Sequence, residues 1–346
     1  MFSKLRKPLP DGYIAIRNCA VAAITISSIS CGGSDPVETI ITLEQTMVID
    51  GNADLNHCFT PINLSVDSEG KLFVLDFVSM KILVFSSEGD FLYEFGRPGE
   101  GPGEFHMLYF NFDIDESGHV YTINHPDRIE IFHNDGSYFA GITTDMGQIF
   151  DIAAVDTNRI YINGFPWGVG LINSTESPAV TLIDVNGEVI REIGHFDADM
   201  KNMSYGEKMV LMSCVIDTDD DLALYYSSAG DYRVNKYDST GVFVWSVDGP
   251  CPFEAYFTDS NEGSTITPVI WDLDVEGDRV YVLWAQGGDE RGYRVDVFST
   301  DDGEPAGYFY TRTPSEAERN MFINVDGDDI YTVAYDDGII YKYRMI

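Results

Sequence analysis

A single short pattern recurs six times along this chain, and it restricts the possible architectures more than any other feature. Each copy holds an acidic turn followed by a strand-like run that opens on an apolar pair. The runs are "KLFVLDF" (71–77), "HVYTIN" (119–124), "RIYING" (159–164), "LALYYS" (222–227), "RVYVLWA" (279–285) and "DIYTVAY" (329–335). They are rich in Val, Ile, Tyr and Phe, which favour the pleated conformation. The turns before them, "VDSEG", "IDESG", "VDTN", "IDTDD", "VEGD" and "VDGD", read as tight hairpins. A third strand follows in each copy, from "KILVF" (81–85) to "IIYKY" (339–343). In the first five copies it meets a glycine turn, at Gly89, Gly136, Gly187, Gly241 and Gly303, and then a fourth strand.

The sixth copy has no fourth strand before Ile346, while "TIITLEQTMVI" (39–49) is a strand with no neighbour of its own. These two irregularities cancel if the N-terminal strand completes the last sheet. The expected fold is therefore all-β, a six-bladed β-propeller whose ring is shut by hydrogen bonds between the two ends of the chain. A flat β-sandwich gives no reason for six matching units.

The stretch "LFVLDFVSMKILVFSSEGDFLYEFGRPGEGPGEF" (72–105) resembles the NHL-type repeat, and more closely the six-bladed propeller lipoproteins of bacteria. The likeness is strong in the first unit and fair in the second. It is weaker in units three to six, which lack the Gly-Pro-Gly-Glu connection. It implies a propeller exported on a lipid anchor, and no defined activity.

The start of the chain supports export. Lys4, Arg6, Lys7 and Arg17 precede "CAVAAITISSISC", an apolar and small-residue run of 13 that is too short to span a bilayer. Small residues before Cys31, and "GGSD" after it, look like a relaxed lipoprotein box. Ser28 and the long leading segment depart from that pattern, and an ordinary secretory signal is the competing reading. The expected organisation is a signal peptide over 1–30, lipid attachment at Cys31 within a tether over 31–38, and a propeller over 39–346. The location expected is the bacterial cell envelope, facing periplasm or exterior, with membrane contact only through the anchor. Lys and Arg number 21 against 57 Asp and Glu, a net charge of −36 that repels nucleic acid and anionic headgroups. No nucleic-acid partner is expected.

Glycine-rich "GRPGEGPGEF" (96–105) is not a phosphate cradle: no helix or Lys-Ser/Thr pair follows it, and Glu100 and Glu104 repel phosphate. Its place between the fourth strand of one unit and the first of the next makes it a structural bend.

Antiparallel strands put first-to-second and third-to-fourth turns on one face, and the longer connections on the other. That second face collects the candidate ligand-binding residues Asp76, His106, Asn124, His125, Trp167, Trp284 and Arg291. Exposed indoles there offer stacking surfaces for sugars or planar ligands; the competing reading is that they pack between blades. Lys81, Arg128, Arg233 and Arg294 open third strands, a repeated position that points to structural pairing with carboxylates. His57, His106, His125 and His195 show no short ligand spacing, so no metal site or cofactor is expected. "DTDDD" (217–221) lacks the glycine and glutamate of a calcium loop, having Leu222 and Ser228 there, and reads as a turn. Cys214 and Cys251 are candidates for a bridge.

No catalytic motif appears in a fitting context, and no catalytic residue is assigned. The expected function is a binding module for a small molecule, a glycan or an envelope protein. The alternatives are a metal-dependent propeller enzyme of lactonase or lyase type, by analogy of fold, and a structural subunit of an envelope complex.

Overall fold

A computed structural model describes residues 39–50, 60–124, 126–165, 178–196, 203, 205–250, 255–260, 263–285, 292–311, 320–335 and 338–346. Six four-stranded antiparallel sheets form the ring. The N-terminal strand is β1 (Leu43–Asp50). Blade 1 comprises β2 (Pro61–Val66), β3 (Leu72–Asp76), β4 (Lys81–Phe85) and β5 (Phe91–Phe95). Blade 2 comprises β6 (Leu108–Ile114), β7 (Val120–Asn124), β8 (Arg128–Phe132) and β9 (Tyr138–Thr143). Blade 3 comprises β10 (Gln148–Asp156), β11 (Arg159–Phe165), β12 (Pro178–Asp184) and β13 (Val189–His195). Helix α1 (Tyr205–Met212) leads into blade 4, made of β14 (Cys214–Thr218), β15 (Leu224–Ser228), β16 (Asp231–Tyr237) and β17 (Phe243–Asp248).

A small hairpin, β18 (Tyr256–Ser260) and β19 (Gly263–Thr267), precedes blade 5. Blade 5 comprises β20 (Ile270–Glu276), β21 (Arg279–Trp284), β22 (Tyr293–Ser299) and β23 (Pro305–Thr311). Blade 6 comprises β24 (Asn320–Asp326), β25 (Asp329–Ala334) and β26 (Ile339–Met345), with β1 as its outer strand. The expected closure is present: β1 runs antiparallel to β26, with Leu43 opposite Met345 and Asp50 opposite Ile339. Helix α1 and the β18–β19 hairpin are additions that the repeat does not foretell.

The core lies between blades, because each sheet is buried on both faces by its neighbours. Six apolar clusters among the described residues fill the six gaps, one in each. Second strands are accordingly buried along their whole length in β3 and β7, whereas the outer strand β5 is mostly exposed. This explains the continuous Val, Ile and Tyr runs in place of apolar–polar alternation.

The glycine loop is a bend, as expected. Gly96 and Gly103 have φ of +81° and +72°, a region that side-chain-bearing residues avoid. Phe105, fully buried, pairs with Pro98 and fills the gap between blades 1 and 2. The Glu104 carboxylate accepts from the Gly101 N–H (2.9 Å) and from Arg97, so the loop satisfies its own charge. The third-strand bases also do structural work: Lys81 pairs with Glu94, Arg128 with Glu130 (2.7 Å), Arg233 with Asp248 (2.7 Å) and Arg294 with Asp296 (2.6 Å). Cys214 is a free buried thiol, and Cys251 lies outside the described residues. "DTDDD" is a hairpin turn, as expected, with Leu222 at φ +62° where other turns carry glycine.

Candidate functional site: an acidic axial cavity

The first strand of every blade faces the ring axis, and residues of β2, β6, β10, β14, β20 and β24 enclose a cavity of about 320 Å³. It extends to Ser68, Glu116, Asp220 and Glu276, so its mouth lies among the short acidic turns. Five carboxyl groups line its interior: Asp113, Asp151, Asp217, Asp272 and Asp274. Period-two alternation along a strand sends Asp272 and Asp274 to the same side. The register repeats around the ring, with Asp113, Asp217 and Asp274 standing opposite Tyr121, Tyr225 and Tyr281.

Each of the five reaches forward to the next blade. Asp113 accepts from the Ala154 N–H (2.7 Å), Asp151 from Ile216 (2.8 Å) and Asp217 from Val275 (2.6 Å). Asp272 accepts from Ile323 (2.8 Å) and Asp274 from Val325 (3.0 Å). Between blades 1 and 2 the Asn63 amide donates to Asn111 (3.0 Å), which donates in turn to the Phe150 carbonyl of blade 3 (3.3 Å). Backbone N–H groups that would otherwise point at the axis unpaired thus gain acceptors. Blade 6 breaks the series: Asn324 donates back to Asp274 (3.0 Å), and its own Oδ1 has no hydrogen-bond partner.

Two effects compete at these carboxyls. Backbone donors favour the ionised form, and removal from water disfavours it. Removal from water prevails. Asp113 is pushed up to about 6 and Asp151 to about 8. Asp217, Asp272 and Asp274 are held well above the usual carboxylate range, by burial first and by neighbouring carboxyls next. Asp151 and Asp274 are buried; Asp113, Asp217 and Asp272 keep an edge on the cavity. The arrangement offers hydrogen-bond acceptors and, where protonated, donors in a confined space.

Of the seven predicted ligand-binding residues, the four that are described, Asp76, His106, Asn124 and Trp284, stand outside the described lining of this cavity. Asp76 is buried and caps its own turn, accepting from the N–H groups of Thr60 and Val78 (each 3.1 Å) and from the Ser79 hydroxyl (2.6 Å). Asn124 pins the glycine loop, accepting from the His106 N–H (2.9 Å) and donating to the Glu104 carbonyl (3.0 Å). His106 is thus brought beside Asn124, and its exposed ring stands 3.8 Å from Glu100. Trp284 is buried between blades 4 and 5, where its indole N–H and the Tyr232 hydroxyl both donate to Asp296 (2.6 Å each). His125, Trp167 and Arg291 lie outside the described residues, as does Cys31. Among the described residues no three His, Cys, Asp or Glu side chains converge as metal ligands.

Sequence reasoning misses the axial carboxyls because it reads the acidic segments only as hairpin turns and assigns their strand-borne carboxyls no place. The available signal was the alternation "DID" (113–115), "DTD" (217–219) and "DLDVE" (272–276), which sets carboxyls on one side of a first strand.

Comparison with known proteins agrees on the architecture. The family described as a six-bladed β-propeller matches residues 58–165. Among curated proteins, none matches the sequence. A protein of Bacteroides fragilis described as exported superposes with a TM-score of 0.58 at 12% identity, covering 91% of this chain and 98% of its own. Virginiamycin B lyase of Staphylococcus aureus superposes with a TM-score of 0.52 at 14% identity, covering 88% and 100%. The Swd1 propeller domain of Myceliophteria thermophila gives 0.51 at 9% identity, covering 88% and 100%. At such identities the likeness is one of fold, and this chain is an all-β, six-bladed β-propeller.

Proposed function

We propose that this protein is an exported, lipid-anchored binding module of the cell envelope, and that the axial cavity is its ligand pocket. The observation that carries the reading is a cavity of about 320 Å³ lined by residues from all six blades. Convergence of polar groups in one concavity is the usual mark of a small-molecule site. The lining suits a compact ligand rich in hydrogen-bond donors. Export is supported by the signal-like start and by the exported description of the Bacteroides fragilis neighbour.

The test is a metabolite and glycan screen by thermal shift, repeated with Asp272→Asn and with Trp167→Ala. A ligand whose binding survives Asp272→Asn but is lost in Trp167→Ala would move the site to the long-connection face and overturn the axial assignment. Anchoring is tested by Cys31→Ser, which should release the protein from the membrane fraction of cells.

A further inference from the structure

The axial cavity has a severe imbalance of charge. Its inner carboxyls are Asp113 on β6, Asp151 on β10, Asp217 on β14, and Asp272 and Asp274 on β20. Its rim adds Asp67, Asp115, Glu116, Asp220, Glu276 and Asp326, and the Cys214 thiol lies close to Asp151. Among the described residues no Lys, Arg or His belongs to the lining. Among the described residues two bases meet rim carboxylates, Lys71 at 4.0 Å from Asp67 and His119 at 3.2 Å from Asp115. Like charges so closely confined cannot all be ionised together. The same five inner groups also carry the blade-to-blade hydrogen bonds, so their charge acts directly on the contacts that hold the ring.

We propose that four of the inner carboxyls, Asp151, Asp217, Asp272 and Asp274, form a proton-operated latch: they keep protons in the folded protein at neutral pH, and losing them loosens the blades around the pocket. This rests on the axial-pocket reading only for its consequence, that pH sets how firmly the pocket is built. A protonated carboxyl still accepts the next blade's N–H through its carbonyl oxygen, so neutrality costs the ring no tie. Ionisation places several negative charges on facing strands with only backbone N–H groups, and no base among the described lining residues, to offset them. The upward displacement of Asp151 to about 8, and that of Asp217, Asp272 and Asp274 well above the usual carboxylate range, has the direction this requires, whereas Asp113, at about 6, releases its proton first.

The experiment is proton counting. The full chain is unfolded by urea at pH 8 in weak buffer, where histidines are neutral in both states. The expected result is release of roughly two to four protons per chain, because the unfolded carboxyls ionise. Asp272→Asn should lower the count by about one. If that variant does not fold, infrared spectra of the wild-type chain serve instead: a carboxylic-acid band at pH 8 that vanishes on unfolding supports the latch. No proton release, or net uptake, overturns it, as does absence of the band. No ligand takes part, so a zero count refutes the latch while leaving the pocket standing, and a failed ligand screen leaves the count unaffected.

Discussion

Replacing Phe73 with tyrosine should stabilise the protein by about 1 kcal/mol. The second residue of the first apolar pair in each second strand is Phe73, Tyr121, Tyr161, Tyr225, Tyr281 or Tyr331, and all six are buried to 2% exposure or less. The Tyr121 hydroxyl donates to Asp115 Oδ2 (2.9 Å) and the Tyr225 hydroxyl to Asp219 Oδ2 (2.7 Å). Both aspartates cap the turn between first and second strands. Asp67 is their counterpart in blade 1, with Oδ1 accepting from the N–H groups of Glu69 and Lys71 (2.9 Å each). Its buried Oδ2 has no hydrogen-bond partner, because phenylalanine supplies no hydroxyl. A bond to a charged acceptor is worth about 1.5–3 kcal/mol, from which some cost of fitting one more oxygen must be taken. In a chain of this size the net gain raises Tm by roughly 2 °C, readable by calorimetry. The reciprocal variant, Tyr225→Phe, should lose about 1–2 kcal/mol. A destabilised Phe73→Tyr together with a neutral Tyr225→Phe would refute the equivalence of the two turns.

Stability should fall as pH rises from 5 to 8. A carboxyl displaced upward in the fold holds a proton that the unfolded chain has released, so its contribution is lost through about 6 for Asp113 and about 8 for Asp151. The two together amount to about 5 kcal/mol, or roughly 10 °C in Tm. A flat or rising Tm across that range contradicts the assignment. Gly136→Ala should cost about 2 kcal/mol, read from the urea midpoint. Its φ is +81° and a Cβ there would lie 2.7 Å from that of Phe95. Deleting residues 39–50 should bare the edge of β26 and remove Met47 and Ile49 from the gap between blades 6 and 1. Size-exclusion chromatography should then show aggregates; a monomer with unchanged Tm would exclude the role given to β1.

The ring was legible because its determinants are local and repeated. Glycines 89, 136, 187, 241 and 303 all adopt positive φ, so a residue type announces each third-to-fourth turn. The shared sixth blade was legible by counting strands, since one was missing at the C-terminus and one unmatched at the N-terminus. The axial carboxyls were not, because composition cannot tell an aspartate in water from one facing an axis. Trp284 shows the same limit: its buried partner, Asp296, belongs to the following strand, and only the fold makes them neighbours. Helix α1 was hidden in "YGEKMVLM", too short a run to show a helical period.

The way β1 enters blade 6 also determines how the molecule bears mechanical load. A pull on the leading end directed along β1 reaches the ring through seven residue pairs shared with β26. Those pairs are strained in shear and yield together, unlike a hairpin peeled open from one end. The parallel bridge of Ile40 to Tyr308 spreads part of that force onto blade 5. A propeller joined in this way withstands tugging at its leading end better than its weak individual bonds suggest.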